Sequence, residues 1–478
     1  MNPDWLGLSV NISLACQNES FMDRPSNPAS RLAAAMIIAA SSSVVPVPAS
    51  AESGPDLDQL TAQQAAADLC AGKITSKALV SAALARAKAK ANLNAFITLD
   101  ETGAMKQAAA FDASHNKGKS CEPLGGVPVV VKDNIEVAGL PSSAGTPALK
   151  DYVPKQDAPV VEKLRAAGAI IIGKTNMHEL AFGISGYNGA FKTGTEPGVR
   201  NAYDPSKIAG GSSSGTASAI GARIVTAGLG TDTGGSVRIP CALNGCASLR
   251  PTVGRYPQGG IAPIARTRDT AGCMASTMAD VAILDRAIAG GGAIAPAAIN
   301  EVRIGIVNSM LANVDGDTDK AFHAAIDRLK SAGVAVVKID MPKLTELNDQ
   351  VAFPVALYEA YDDMLVYLKH TGTGITIEEL AFANNKLDAI AFPTTPKVAI
   401  PANPDSSSIE NFILFIQNTD PGSNAGVPGV QLPVGLGATT KLPVGLELDG
   451  PAGSDRRLIA IGMAMEKLFG RLPPPSTN

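Results

Sequence analysis

Short, continuous runs of apolar residues constrain the fold of this chain more than any other feature. They lie at residues 127–131, 169–172, 225–229, 302–307, 334–339 and 389–392, and a mixed run at residues 93–99 also has strand character. A strand whose residues are all apolar is buried on both faces, as in sheets that are covered by helices on both sides. The runs therefore predict several strands of one such sheet.

Segments with helical periodicity separate these runs. Residues 57–90 are rich in Ala, Leu and Lys and are interrupted at Gly72, so that Thr75 or Ser76 is the expected N-cap of a second helix. Further helical segments are expected at residues 160–167, 216–222 and 318–332. Alternation of strands and helices predicts an α/β fold. Because no internal repeat or long linker interrupts it, we expect one large domain.

The first fifty residues have the composition of a targeting segment. Residues 22–51 contain two arginines, a short apolar stretch and the sequence Ala49-Ser50-Ala51, which is the plan of a secretory signal peptide. We predict an upstream extension at residues 1–21, a signal peptide at 22–51 and the mature domain at 52–478. The mature protein is then periplasmic or secreted, or cytoplasmic if the segment is not processed. The apolar stretch is too short to span a bilayer, so stable membrane insertion is not expected.

The net charge and the spacing of histidines and cysteines limit which partners and cofactors are expected. The net charge is −4, with 40 basic and 44 acidic residues, which argues against nucleic acid as a partner. The four histidines and the cysteines match no zinc spacing, so neither a metal nor another cofactor is expected. Five cysteines remain in the predicted mature chain, so at least one is unpaired within it. An oxidising compartment would permit a Cys70–Cys121 disulfide, which the sequence alone leaves open.

Two glycine-rich segments, residues 210–215 and 230–238, carry embedded serines and threonines. A phosphate-binding loop has the pattern G-x-x-x-x-G-K, and neither segment contains the lysine that this pattern requires. The dinucleotide pattern G-x-G-x-x-G also fails, because the glycine after Gly228 and Gly230 comes at Gly234, one position too late. Gly211-x-Ser213-x-Gly215 formally matches a nucleophile elbow, but no strand is expected before it. Nucleophilic catalysis with another base is the remaining interpretation.

Lys132 is the candidate base. It follows directly on the apolar run 127–131, so its side chain is expected at the carboxyl end of a buried strand. Removal from water lowers the pKa of a lysine and allows it to take up a proton near neutral pH. A solvated lysine at a strand end is the ordinary alternative for this residue taken by itself.

Taken together, these motifs resemble those of the amidase signature family. The resemblance is carried by residues 126–134, Gly173-Lys174-Thr175-Asn176, the serine cluster 210–215 and residues 230–238, in this order over roughly residues 57–470. The interval of 24 residues between Ser212 and Ser236 is the one expected between the two catalytic serines of that family. The resemblance implies a mixed, twisted central β-sheet covered by helices on both faces.

The resemblance also implies a role for each matching residue. Ser236 would be the nucleophile, Ser212 the bridging serine and Lys132 the ultimate base, with a cis peptide between Gly211 and Ser212. The backbone amides of Thr233, Gly234, Gly235 and Ser236 would form the oxyanion hole. Ser213 would tune the proton relay that runs from Ser236 through Ser212 to Lys132. Asp232 and Arg238 would brace the loop that carries Ser236.

Two further stretches, residues 267–272 and 448–457, are most similar to mandelamide and indoleacetamide hydrolases, which cleave arylacetamides. The expected partner is a small amide, and a homodimer is left open. The connection at residues 380–387 is shorter than expected for this branch, which leaves the acyl pocket undetermined. An esterase, carbamate or anilide hydrolase with the same triad, and a non-catalytic periplasmic binding protein on this scaffold, remain alternatives.

Overall fold

A mixed sheet of 11 strands forms the centre of the protein. The computed structural model describes residues 55–115, 121–192, 197–265, 267–341, 343–344, 346–348 and 387–475. These residues form a single large α/β domain, which confirms the predicted fold class. The predicted extension 1–21, the signal peptide 22–51 and, apart from Leu387, the short connection 380–387 lie outside the described residues.

The strands and helices alternate along most of the chain. The strands are β1 Phe96–Leu99, β2 Pro128–Lys132, β3 Ile170–Thr175, β4 Ala227–Asp232, β5 Ala247–Arg250, β6 Thr270–Ala275, β7 Arg303–Val307, β8 Ala335–Ile339, β9 Ala389–Pro393, β10 Gly429–Leu436 and β11 Pro443–Asp449. The described α-helices are α1 Ala62–Cys70, α2 Ser76–Ala89, α3 Glu101–His115, α4 Pro159–Ala166, α5 Ser214–Gly221, α6 Arg238–Asn244, α7 Met278–Ala289, α8 Gly316–Ser331, α9 Ile409–Ile416, α10 Asp420–Asn424 and α11 Asp455–Phe469.

The order across the sheet is β1-β3-β2-β4-β6-β5-β10-β11-β9-β7-β8. Parallel pairing joins β2 to β3 and β4, and β7 to β8 and β9, while the pairs between these two groups are antiparallel. The carboxyl ends of β2, β3 and β4 therefore lie at one edge of the sheet, where Lys132 and Asp232 end their strands.

Burial of β2 on both faces follows from its sequence. Val129 and Val131 pack into one hydrophobic cluster with residues of α1, α4 and α7, whereas Val130 packs into the other with residues of α2, α3 and α5. Successive side chains of a strand point to opposite faces, so the three consecutive valines of β2 contribute to both clusters. This confirms the prediction made from the run 127–131.

The predicted break at Gly72 is also present. Gly72 has a φ of +66° between α1 and α2, and the Thr75 hydroxyl accepts a hydrogen bond from the Ala78 amide at the start of α2. The first predicted strand is shorter than expected: residues 91–93 form a 3₁₀ turn, and β1 begins only at Phe96. Strands β5, β6, β10 and β11 were not predicted.

Two disulfides occur within the described residues. Cys70 pairs with Cys121, with an S–S distance of 2.04 Å, as the sequence allowed, and Cys241 pairs with Cys246, which the sequence analysis did not anticipate. Cys273 is unpaired and buried. In the part of the chain that the structure describes, no helix combines the length and the apolar character needed to cross a membrane.

Candidate active site

Lys132 lies at the carboxyl end of β2 and is completely buried. Its Nζ donates hydrogen bonds to Ser212 Oγ at 2.8 Å and to Thr231 Oγ1 at 2.7 Å. Thr231 is brought beside it by the parallel pairing of β2 with β4, in which Val131 is aligned with Leu229. The ordinary alternative, a solvated lysine, is thereby excluded. Thr231 lies inside the motif 230–238, but the sequence analysis gave it no role.

Burial moves the titration of Lys132 toward neutral pH. Loss of solvation lowers the pKa of Lys132 from 10.5 to about 7, and the negative charges of Asp232 and Asp269 oppose this effect only in part. The neutral amine, which can accept a proton, is therefore well populated at physiological pH.

Ser212 is held in place by hydrogen bonds to two other segments, those of Lys132 and His178. The peptide bond from Gly211 to Ser212 is cis, as the family resemblance implied. The Ser212 carbonyl accepts a hydrogen bond from the amide of His178 at 3.2 Å, and the side chain of Ser212 is fully buried. Its hydroxyl therefore has a fixed position beside Lys132.

Ser236 lies on the other glycine-rich segment, whose backbone is hydrogen-bonded to the segment that carries Ser212. The amide of Ser213 donates to the carbonyl of Ser236 at 3.1 Å, which joins the two segments. Ser236 is only half-buried, unlike Ser212 and Ser213. A direct hydrogen bond between the hydroxyls of Ser236 and Ser212 is not among those that the described residues form. Ser236 is therefore the serine of the three that an incoming molecule can reach.

The side chain of Ser213 has a different environment from the one expected. Its hydroxyl donates to the Thr231 carbonyl and accepts from the Thr231 amide, both at 3.2 Å. It thus anchors the start of α5 to β4, and no hydrogen bond joins it to Lys132.

The four amides of the expected oxyanion hole differ in availability. The amide of Gly235 donates to Asp232 Oδ1 at 2.8 Å. The amides of Thr233, Gly234 and Ser236 donate to no group among the described residues. Gly235 has a φ of +120°, a conformation that other residues rarely adopt. These observations favour Thr233, Gly234 and Ser236 as the donors that remain for a substrate oxygen.

Asp232 and Arg238, the two residues expected to brace this loop, are hydrogen-bonded to each other within it. The carboxylate of Asp232 accepts from the amides of Gly235 and Val237, and from Arg238 Nε and Nη2 at 3.1 and 3.0 Å. Arg250 adds a hydrogen bond of 2.9 Å to Asp232 Oδ1. Although burial opposes ionisation, the two guanidinium groups hold the pKa of Asp232 well below its usual range. The loop that carries Ser236 is thus anchored by a buried charge network.

The network extends to residues far away in sequence. Arg238 also donates to the carboxylate of Glu447 on β11 and to Ser423 Oγ at 2.6 Å. Burial raises the pKa values of Glu447 and of the neighbouring Asp449. The sequence analysis missed Arg250, Ser423 and Glu447, because nothing in the local pattern indicates that they meet Arg238 or Asp232.

A second buried lysine, Lys174 at the end of β3, belongs to a separate cluster. Its Nζ donates to Ser142 Oγ at 2.7 Å and lies 3.4 Å from Asp133 Oδ1. Burial lowers the pKa of Lys174 to about 8. Asp133 in turn accepts hydrogen bonds from the hydroxyl and amide of Ser143. Lys174 therefore fixes the loop after residue 140 and not the segments that carry Ser212 and Ser236.

His178, which was not singled out, lies against the same site. Burial and the nearby charge of Lys132 lower the pKa of His178 to about 4. Its Nδ1 is 3.4 Å from Ser185 Oγ. Its position two residues after the Lys174-Thr175-Asn176 motif is the signal that could have identified it. Among the described residues, no group of three His, Cys, Asp or Glu side chains is arranged to hold a metal ion.

Comparisons with known proteins identify relatives of this chain. The model of the amidase family matches residues 78–381 and 366–459. The chain is 42% identical over 473 residues to mandelamide hydrolase of Pseudomonas putida, covering 88% of this chain and 93% of that protein. It is 40% identical over 442 residues to indoleacetamide hydrolase of Agrobacterium vitis, covering 81% and 92%. The crystal structure of peptide amidase from Stenotrophomonas maltophilia superposes with a TM-score of 0.73 at 29% identity, over 88% of this chain and 100% of that one.

The fold and these relatives define the class of the protein: it is an amidohydrolase that acts on carbon–nitrogen bonds. The chain belongs to the amidase signature family, as its motifs indicated.

Proposed function

We propose that the chain hydrolyses arylacetamides or related primary amides to the acid and ammonia, through an acyl-enzyme on Ser236. The observation that carries this proposal is the hydrogen bond between buried Lys132 and Ser212, beside the segment that bears Ser236. The substrate class is supported by the two curated relatives, a mandelamide hydrolase and an indoleacetamide hydrolase.

In the proposed mechanism, proton transfer passes through three side chains. Neutral Lys132 donates to Thr231 and uses its lone pair for the Ser212 proton, while Ser212 takes the proton of Ser236. The Ser236 oxygen attacks the amide carbonyl, and the developing negative charge is stabilised by the free amides of the loop 233–236. The proton returns through Ser212 to the leaving nitrogen, and water then cleaves the acyl-enzyme by the same path.

The test combines turnover with labelling. Purified wild-type protein is incubated with mandelamide, indole-3-acetamide and the matched methyl esters and anilides, and the products are identified by mass spectrometry. A fluorophosphonate probe then reports on the nucleophile. We expect turnover of amides, labelling at Ser236, and loss of both in Ser236→Ala, whose fold is checked by circular dichroism.

Ser331→Ala is the matched control, because Ser331 is exposed on α8 and lies outside the site. Preference for the esters over the amides would assign an esterase activity instead. A wild-type protein that neither turns over any compound nor reacts with the probe would support the non-catalytic alternative and refute the proposal.

The protein is exported on this proposal, with cleavage after Ala51. Support comes from the Cys70–Cys121 disulfide, since disulfides persist mainly in oxidising compartments. N-terminal sequencing of the protein from the native host tests this, and a retained residue 1 or 22 would contradict it.

A further inference from the structure

Asp269 occupies a position opposite the glycine-rich loop. It immediately precedes β6, which pairs antiparallel with β4 so that Asp232 faces Thr270. One residue further along this register, Thr233 lies opposite Asp269. The Thr233 hydroxyl donates to Asp269 Oδ1 at 2.6 Å. The sheet thereby brings a carboxylate to the first residue of the segment with free amides.

The other oxygen of this carboxylate is held equally firmly. Asp269 Oδ2 accepts hydrogen bonds from the amides of Ile264 at 2.7 Å and Ala265 at 2.9 Å, and the Asp269 amide donates to the Ala265 carbonyl at 2.8 Å. Burial raises the pKa of Asp269, and the three hydrogen bonds to its charged form oppose this increase. The carboxylate is thus a fixed acceptor and a fixed negative charge.

Titratable groups from three elements surround Lys132. Asp232 stands at the end of β4, Asp269 before β6, and His178 in the loop after β3. Asp232 is in contact with two guanidinium groups, those of Arg238 and Arg250. Arg250 is also near enough to lower the pKa of Asp269, but within the described residues no lysine or arginine forms an ion pair with Asp269. His178 is neutral at physiological pH, because its pKa lies near 4.

We propose that Asp269 is a positioning residue of the active site with two separable effects. Its Oδ1 fixes Thr233, and with it the amides that face the substrate oxygen. Its negative charge stabilises the ammonium form of Lys132 that arises when the proton of Ser236 has been transferred. The inference rests on the proposed function of the Lys132–Ser212–Ser236 relay.

Different substitutions separate the two effects. Thr233→Val removes the hydroxyl and keeps the charge of Asp269, whereas Asp269→Asn removes the charge. Thr233→Ser restores the hydroxyl without the methyl group. Asp327→Asn is the control for loss of one negative charge, because Asp327 is 75% exposed on α8. For each protein, kcat and kcat/KM for mandelamide are measured between pH 5 and 9, together with the pH dependence of fluorophosphonate labelling.

The charge effect predicts a shift of the pH profile. Loss of the negative charge at Asp269 lowers the pKa of Lys132 further, so the neutral base persists to lower pH. We expect the acid limbs of turnover and of labelling to move downward by on the order of one pH unit in Asp269→Asn. The acid limb stays in place in Thr233→Val and in Asp327→Asn.

The hydrogen-bond effect predicts a change in rate. Misplacement of the amides in Thr233→Val lowers kcat by about tenfold to 10²-fold with a smaller change in KM, because the interaction is made mainly in the transition state. Thr233→Ser recovers most of this loss. A merely structural role of Thr233 would lower stability without this division between kcat and KM.

Each effect has its own refutation. An unchanged acid limb in Asp269→Asn overturns the electrostatic role, and a wild-type kcat in Thr233→Val overturns the positioning role. If circular dichroism shows that Asp269→Asn does not fold, Asp269→Ser replaces it, since its smaller side chain admits water to the Ile264 and Ala265 amides. An inactive, unlabelled wild-type protein refutes the proposed function instead, whereas active variants with wild-type profiles refute only this inference.

Discussion

The Nζ of Lys132 lies 2.8 Å from the Oγ of Ser212, although 80 residues separate the two in sequence. The contact places an amine with a lowered pKa against the Ser212 hydroxyl, which forms no other hydrogen bond among the described residues. We expect Lys132→Met and Lys132→Arg to lose activity by about 10²-fold to 10⁴-fold, since arginine keeps the charge but does not deprotonate. Steady-state kinetics with mandelamide test this. An Arg variant within tenfold of wild type would show that Lys132 is not the base.

The pH profile of the enzyme should follow the titration of Lys132. Its pKa is lowered to about 7 and the neutral form is the active one, so kcat/KM should fall tenfold per pH unit below that value and level off above it. A lysine with its ordinary pKa would instead give activity that rises up to pH 10. Measurement of kcat/KM between pH 5 and 10 distinguishes the two curves.

Much of the site could be predicted from local sequence. The apolar run 127–131 identifies β2, the residue after it identifies Lys132, and the resemblance of the two glycine-rich segments to amidase signature motifs implies Ser212 and Ser236. Each of these signals depends only on a few neighbouring residues. The exclusion of water that lowers the pKa of Lys132 depends on β3 and β4 on either side of β2, but the buried run already implied such neighbours.

The remainder depends on long-range contacts that no local pattern encodes. Strand β6, Thr270–Ala275, is made mostly of small residues, and β10, Gly429–Leu436, contains glycine and proline, so strand propensity is weak in both. Their pairing in the sheet gives them extended structure. Glu447 is 209 residues from Arg238, yet their side chains share a hydrogen bond. Tertiary packing, rather than the sequence around either residue, creates that contact.

The charge network under the loop makes a prediction about stability. Asp232→Asn leaves the guanidinium groups of Arg238 and Arg250 buried without their shared counter-ion, which should cost about 3 to 5 kcal/mol of unfolding free energy. Asp388→Asn, which breaks the partly exposed pair with Arg457, should cost about 1 kcal/mol or less. Urea unfolding at pH 7 measures both, and equal losses would contradict the role of burial.

The depressed pKa of Asp232 also leads to a prediction about the stability of the protein at low pH. Because the pKa of Asp232 is depressed in the folded state, its contribution to stability is present above the ordinary aspartate value of 3.8 and is lost as the pH falls toward the folded-state value. Asp232→Asn lacks this titration. Its unfolding free energy should therefore vary less than that of wild type below pH 4.

Substitution of Gly235 tests how closely the loop that carries Ser236 is packed. A Cβ at this position would lie 2.3 Å from Thr419 Oγ1 and would require a φ of +120°. Gly235→Ala should lower kcat by at least tenfold through displacement of the adjacent amides. Gly254→Ala is the matched control: its φ is +83°, but no atom lies within 4 Å of the added carbon. It should cost about 1 to 2 kcal/mol of stability and leave kcat unchanged. Equal kcat values for the two variants would refute the packing argument.

The Cys70–Cys121 disulfide should be the cross-link on which stability depends most. It closes a separation of 51 residues, against 5 for Cys241–Cys246, and loop-closure entropy gives about 4 and about 2 kcal/mol, respectively. Both cysteines of the longer link are exposed, whereas Cys241 and Cys246 are fully buried, so mild reductant should act on the longer link first.

Thermal unfolding of wild type with and without dithiothreitol measures this effect, with the Cys70→Ser/Cys121→Ser double variant as reference. Reduced wild type should unfold at the temperature of the double variant, and the double variant should not respond to mild reductant. If oxidised wild type and the double variant have the same midpoint, the cross-link does not stabilise the fold. A response of the double variant to mild reductant would assign the sensitivity to Cys241–Cys246 instead, and would mean that the helix after the Ser236 loop opens more readily than its burial implies.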